Sequence, residues 1–530
     1  MRPKILKFLH YILPVLAIGF LSVFLLKNSF SYSDLDLGWH LRAGQDIIDS
    51  QSVSSVNNYN YTLIDIPWID HEWLLNLVMA KTYNNFTSLG LHLLFLLVIL
   101  LVFYLAWHRA SKFLGNSNFN KYLSFIFLFF GIWASQAHLG IRVQEFGLLG
   151  LIILLGIIDN YPRNIKSIYY LPLLFLFWAN IHASFILGLA LLITYCCYLY
   201  IAPYLNRLKF LRIFSLPILK MRDKNRVLMM LALSVVASLI NPYGVTLYSF
   251  LSGYSNSFYM SYINEWQGQF SLPPHYPQLI YLSLSATGAL LWFWLERQTK
   301  TRLKLWDIGI FLLFFILAWR SRRHFPLFVT VSLPLVVLFY QETFKSIWQS
   351  FSSQMKLIIL SFLTLSIFLS CLSIIIYLPL KQHVIDDFCN IRYPCAAVSY
   401  LKAHPETKDD KLFSEYNWGG YLLWAYPEKQ IFIDGRMPQV AYKDYSILEE
   451  YLEFRKLKEN AEKMLDEYKI NLVLIKKNQA VLSLTPWLKA LMSINNEDLS
   501  KPDYLKEYVS SAHNWRPVFQ DNLSILFIRQ

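Results

Sequence analysis

SLGLHLLFLLVILLVFYLAW, residues 88–107, is an almost wholly apolar run closed on its far side by His108, Arg109 and Lys112. A helix needs about 20 such residues to cross the hydrocarbon of a bilayer. Comparable runs lie outward of it at 8–29, 122–139, 145–159, 168–182, 184–202, 227–240, 277–295, 305–319, 325–340 and 357–379, which makes about eleven. The first follows Arg2, Lys4 and Lys7 with no small-residue cleavage site behind it, and is expected to stay as an uncleaved anchor. Composition agrees: of 530 residues, 55% are hydrophobic and only 16% charged, where soluble proteins carry about 25% charged. The 17% of aromatic residues suits interfacial Trp and Tyr anchors. The expected fold class is a polytopic α-helical membrane protein. Residues 1–379 form its membrane domain, with a long first outer loop at 30–87, and 380–530 form an extracytoplasmic α/β domain.

The net charge of +13 is distributed in short clusters between apolar runs. That pattern sets topology and does not build a nucleic-acid face. One set of alternate loops carries Arg109, Lys112 and Lys121; Arg163 and Lys166; seven basic residues between Arg207 and Arg226; Arg297 to Lys304; and Lys345 and Lys356. The opposite loops carry almost none. Positive loops stay inside, so the N-terminus is cytoplasmic, the C-terminal domain lies outside, and the protein is integral to the cell (inner) membrane.

Composition turns soluble near residue 380. β-prone runs at 411–414, 430–434 and 470–476 alternate with helical stretches at 418–425 and 446–468, and 518–527 reads as a hairpin turning at Asp521-Asn522. Five cysteines make no disulfide framework. Cys196, Cys197 and Cys371 sit in apolar runs, whereas Cys389 and Cys395 are either free or close a small loop outside the membrane.

Three stretches can carry chemistry, all on the outer side. SDLDLGWHLRAG, residues 33–44, places Asp34 and Asp36 directly after a span. In an extended backbone, residues two apart point the same way, so both carboxylates would converge, one of them as a general base; the alternative is an Asp capping the helix that begins near Gly38-Trp39-His40. PWIDHEWL, residues 67–74, offers Asp70, His71 and Glu72 between two tryptophans, either as part of a binding site or as an interfacial helix. Asp36 and His71 are candidate ligands for a divalent metal. WRSRRHFP, residues 319–326, puts Arg320, Arg322, Arg323 and His324 outside, against the charge rule, and Arg142 in IRVQEF does the same. Arginines near the hydrocarbon need partners. These suit a phosphate or diphosphate, or else lipid headgroups or Glu145 and Glu265.

These motifs, in this order, with WANIHASFILG at 178–188, INPYG at 240–244, NWGGYLLW at 417–424 and IFIDGR at 431–436, resemble the GT-C superfamily of membrane glycosyltransferases, and within it a largely uncharacterised prokaryotic group. The resemblance implies a sugar donor on a polyprenyl phosphate or diphosphate, an acceptor glycan, lipid or protein in the cell envelope, and an acidic residue of the first outer loop acting as base, here Asp34 or Asp36. His40, Asp70, His71, Glu72, Arg142, Arg320, Arg322, Arg323 and His324 are then substrate-binding candidates. Oligosaccharyltransferases of this layout carry a Trp-Trp-Asp motif that Asn417-Trp418-Gly419-Gly420 does not match. No glycine-rich phosphate loop is present for a nucleotide sugar. The rival expectations are a lipid or glycan transporter and a non-catalytic membrane scaffold. The first predicts charges buried mid-helix and paired broken helices.

Overall fold

The computed structural model describes residues 16, 18–27, 34–115, 117–161, 163–208, 214–217, 219–253, 258–295, 303–352, 392–436, 446–456, 458–478 and 503–530, with scattered positions between 354 and 389 and at 486 and 489. Of the expected first span at 8–29, half is described, with Ile18–Lys27 a short apolar helix, whereas the expected last span, at 357–379, lies largely outside those residues. The chain divides into two compact units.

The first unit comprises Met1–Tyr32, Gly90–Gly244 and Asn264–Val384 and is built of helices. Three described helices are long and apolar enough to cross a membrane: Trp73–Phe113, Phe185–Leu205 and Arg322–Ser350. Two contain an expected run whole, and Phe185–Leu205 covers that at 184–202 but for Ser184. Asn118–Ser135, Gln144–Asn160, Leu171–Ile181, Met221–Ser238, Tyr276–Leu295 and Leu305–Arg320 fall on other expected runs. The Trp73–Phe113 helix breaks at Thr87, whose φ is 55°.

Packing inside this unit uses small residues, as expected where lipid provides no hydrophobic drive between helices. The indole of Trp178 fills space left by Gly150 and Gly188; a Cβ on either would fall 2.5 Å from the ring. The same indole donates to Ser184 Oγ at 3.0 Å, and Asn180 Nδ2 donates to the carbonyl of Ile240 at 2.8 Å. WANIHASFILG and INPYG therefore hold helices together. Arg109, one of the basic residues expected on the inner side, pairs with Asp159 at 2.6 Å and donates to the Val331 carbonyl, on the helix that contains Pro334.

The second unit is discontinuous: Ser33–Leu89, Val245–Ile263 and Ile385–Gln530. Its four-stranded sheet runs β1 (Lys411–Ser414), β2 (Ile470–Lys476), β4 (Ser524–Arg529), β3 (Trp515–Gln520), with β1 and β2 parallel and the rest antiparallel. The expected hairpin is present, its turn tied by Asp521 Oδ1 accepting from the amides of Leu523 and Ser524. The expected strand at 430–434 is not: Ile431 makes single bridges to Asn60 and Leu412, and the chain turns away at Asp434. Cys389 and Cys395 form a disulfide.

The first-loop helix α1 (Leu37–Ser50) lies against α2 (Gly419–Ala425), and glycine makes that possible. A Cβ on Gly38 would enter the Gly420 carbonyl, and one on Gly420 would stand 2.5 Å from the Leu35 carbonyl. Both obstacles are backbone and cannot yield.

Arg436 is the deepest tie in this unit. It is fully buried, pairs with Asp434 at 2.8 Å, and its Nη2 donates to Asn57 Oδ1 and Asn60 Oδ1, each at 2.9 Å. Its guanidinium lies 4.2 Å from the ring centre of Tyr59 and 4.6 Å from that of Trp68. One side chain thus satisfies residues from both ends of the sequence.

Candidate functional site

The predicted site residues fall into two groups, one in each unit. In the second unit, Asp34 and Asp36 precede α1 in a turn and not in extended backbone: Leu37 N donates to Asp34 O at 3.1 Å, and Asp36 has φ −86° and ψ −14°. Of the two alternatives, the extended backbone that would align both carboxylates does not form, and the pair lies at a helix start. Asp36 stands at the N-cap position but makes no side-chain cap bond; its carboxylate oxygen sits instead where Gly435 leaves space for it. Asp34 Oδ1 accepts from Asp36 N at 3.4 Å. Half-buried at the start of a helix, both carboxylates lie in the favourable end of its dipole.

His40 follows on the same helix and joins a buried polar chain. Asp70 accepts from Asn76 Nδ2 at 3.0 and 2.9 Å, and Asn76 Oδ1 lies 2.7 Å from His40 Nδ1. Glu72 lies 4.0 Å from His40 Nδ1 and 3.5 Å from His71 Nε2. The structure thus brings His40, Asp70, His71 and Glu72 into one network, all of them buried. Asn76 is the hub that the sequence reading missed; its signal was a lone amide in the apolar WLLNLV. Burial pushes Asp70 up to about 6 against the hydrogen bonds from Asn76. Burial also lowers His40, whereas for His71 burial is outweighed by Glu72 and the imidazole is raised. Among the described residues no group of three His, Cys, Asp or Glu is placed to hold a metal ion.

A pH dependence follows. Asp70 binds its proton more tightly in the fold than in the unfolded chain. Its contribution to stability is favourable at low pH, declines as pH rises from about 4, and has become its full cost above about 6. At 1.36 kcal/mol per pH unit this amounts to about 3 kcal/mol. Between pH 4 and 7, wild type is expected to lose unfolding free energy relative to Asp70→Asn, measured by denaturant titration in detergent; a pH-independent difference would show that Asp70 does not carry the linkage.

In the first unit the arginines do not act as one cluster. Arg320 is exposed. Arg322 is 7% exposed and is committed to backbone, its amide donating to Gln267 O at 3.1 Å and its guanidinium to Ser271 O. Arg323 turns the other way: it stacks 4.7 Å over Trp266 and lies 3.9 Å from Glu265, which also accepts from Arg142 at 2.6 Å. His324 meets the edge of Trp266 at 5.6 Å. Of the two carboxylates named as alternative partners, Glu265 pairs with both arginines. Burial alone would raise Glu265, but Arg142 and Arg323 outweigh it and hold it at about 2. Arg142 and Arg323 thus share one carboxylate.

No protein-family model matches the chain, and no curated protein matches it. Solved structures do. The apo oligosaccharyltransferase of Archaeoglobus fulgidus is similar over 92% of this chain and 71% of its own, at 10% identity and a TM-score of 0.56. The same enzyme tethered to an acceptor peptide with an NVT sequon matches 88% of this chain and 69% of its own, at 11% identity and TM-score 0.56. ArnT from Cupriavidus metallidurans aligns over 98% of this chain and 96% of its own, at 12% identity and TM-score 0.44. Together with its apolar helices, the likeness shows that this chain shares the membrane helical fold of that archaeal oligosaccharyltransferase.

Proposed function

We propose that the protein is a membrane glycosyltransferase that moves a sugar from a polyprenyl phosphate or diphosphate to an acceptor on the extracytoplasmic side. The observation that carries this reading is the likeness to an oligosaccharyltransferase along 92% of the chain. In this reading Asp36, with Asp34 beside it, accepts the proton of the acceptor, which is the role a carboxylate at a helix start can serve. Arg142 and Arg323 offset the charge developing on the leaving phosphate, and Arg320, Arg322 and His324 border that position. The buried chain from Asp70 through Asn76 to His40 holds α1 and with it the acids. Sugar transfer from a radiolabelled polyprenyl-phosphate sugar pool in membranes tests the reading, and its decisive variants are argued in the Discussion.

The reading requires the polar unit to face outward in the inner membrane. A cysteine replacing Ser215 is expected to react only with membrane-permeant thiol reagents, and one replacing Lys408 with impermeant reagents in cells with a permeabilised outer layer. The reverse labelling pattern would overturn the orientation and the assignment of an extracytoplasmic reaction.

A further inference from the structure

The start of α1 presents one more polar group than the reaction above employs. Trp39 is 2% exposed, and its indole Nε1 has no hydrogen-bond partner among the described residues. A buried donor left unpaired is costly, so its presence points to an occupant. The nitrogen lies 3.4 Å from the point where a Cβ on Gly435 would stand, and Asp36 Oδ1 lies closer still to that same point. Only glycine at 435 lets the carboxylate and the indole edge share that space.

We infer that Trp39 binds the acceptor: its N–H donates to the oxygen of the attacking hydroxyl, while that hydroxyl donates its own proton to Asp36. The inference rests on the glycosyl-transfer reading and narrows it to one acceptor class. A hydroxyl has lone pairs to accept from the indole and a proton to give to the carboxylate; an amide nitrogen offers donors only. The acceptor is therefore an alcohol, on a glycan or a lipid, and not an asparagine side chain. In the step, the hydroxyl oxygen bonds to the anomeric carbon. The bond from that carbon to the phosphate oxygen breaks, its electron pair stays on the phosphate, and the proton passes to Asp36. The indole N–H does not take part in the proton transfer and serves to hold the oxygen in line.

Two measurements test this on the full chain in membranes. In the first, Trp39→Phe and a 3-benzothienylalanine at position 39, which exchanges the N–H for sulfur at nearly constant shape, are assayed at saturating radiolabelled polyprenyl-phosphate sugar. Acceptor is supplied as graded membranes from cells lacking the protein. The acceptor amount for half-maximal rate is expected to rise about tenfold, the size of one neutral hydrogen bond, with donor dependence unchanged. An unchanged acceptor dependence in the benzothienylalanine protein, with or without a lower melting temperature, would mean that the indole serves water or the fold, and overturns the inference. The second measurement needs no variant: wild-type product is treated with a peptide amidase that releases asparagine-linked sugars. Label that resists release supports an alcohol acceptor; released label overturns it. Wild-type transfer by both Asp34→Asn and Asp36→Asn would instead sink the underlying reading, whereas a dead Asp36→Asn with unaltered position-39 variants sinks only the role of Trp39.

Discussion

Arg436→Ala is expected to destabilise the polar unit by about 3–5 kcal/mol, the cost of leaving a buried charge uncompensated. Asp434 is as fully buried as Arg436, and its two carboxylate oxygens accept from Arg436 Nε and Nη2. Without the guanidinium, Asn57 and Asn60 also lose a donor, and the rings of Tyr59 and Trp68 lose what fills the gap between them. Set against a total stability of about 5–15 kcal/mol for a typical domain, that loss is a substantial share. Arg436→Lys should recover only part, because an ammonium lacks the planar fork that reaches Asp434 and both asparagines at once. Arg529→Ala provides the contrast: its partner Asp466 is 53% exposed, and a surface pair contributes at most about 1 kcal/mol. Denaturant unfolding of the purified protein, followed by proteolysis of the first loop, separates these outcomes. An unaltered midpoint in Arg436→Ala would remove the arginine from the role of tie.

Asp36→Asn is expected to lower sugar transfer by about 10²–10⁴-fold, the usual consequence of losing a positioned general base. Asparagine keeps the shape that Gly435 accommodates, so the packing at the start of α1 survives while the proton acceptor is gone. Asp34→Asn discriminates between the two acids. Its side-chain oxygen can still accept from the amide of residue 36, as Asp34 Oδ1 does at 3.4 Å, so a fall in rate there reports charge and not loss of the turn. Donor binding should be retained in both. Wild-type transfer by both variants, at matched expression, would remove the acids from the reaction and favour a transporter or scaffold.

The elements that follow from local chemistry were legible in the sequence. Apolar runs mark helices, and the alternation around 411–414 and 470–476 and the Asp521-Asn522 turn all correspond to observed structure. Glu265 was named beforehand as a partner for the stray arginines. What was missed depends on distant pairing. Residues 430–434 have strand composition, but their neighbours are Asn60 and a single residue of β1, so no ladder forms. For Asp34 and Asp36 the sequence left extended backbone and a helix cap both open, because nothing local reveals that α2 will press against Leu35 and Gly38. Asn76 looked like a stray amide in an apolar helix because its partners, Asp70 and His40, matter only once two helices have met. Four closely spaced basic residues at 320–324 looked like one patch, yet the turn between helices sends Arg320 outward, Arg322 to backbone and Arg323 to Glu265.

The bond from Arg436 to Asn60 joins residues 376 positions apart. A ribosome adding about 5–20 residues per second needs roughly 20–75 s to travel that distance. In the proposed topology the first loop crosses the membrane early, while Gly420 and Arg436, which cover Gly38 and tie Asn57 and Asn60, are still to be made. The loop must wait, unfinished, through the insertion of most of the spanning helices. Assembly of the polar unit is therefore among the last events of biogenesis, and any chain stopped before Arg436 would leave its first loop open to proteases and chaperones, so that quality control could distinguish complete from truncated copies at this one joint.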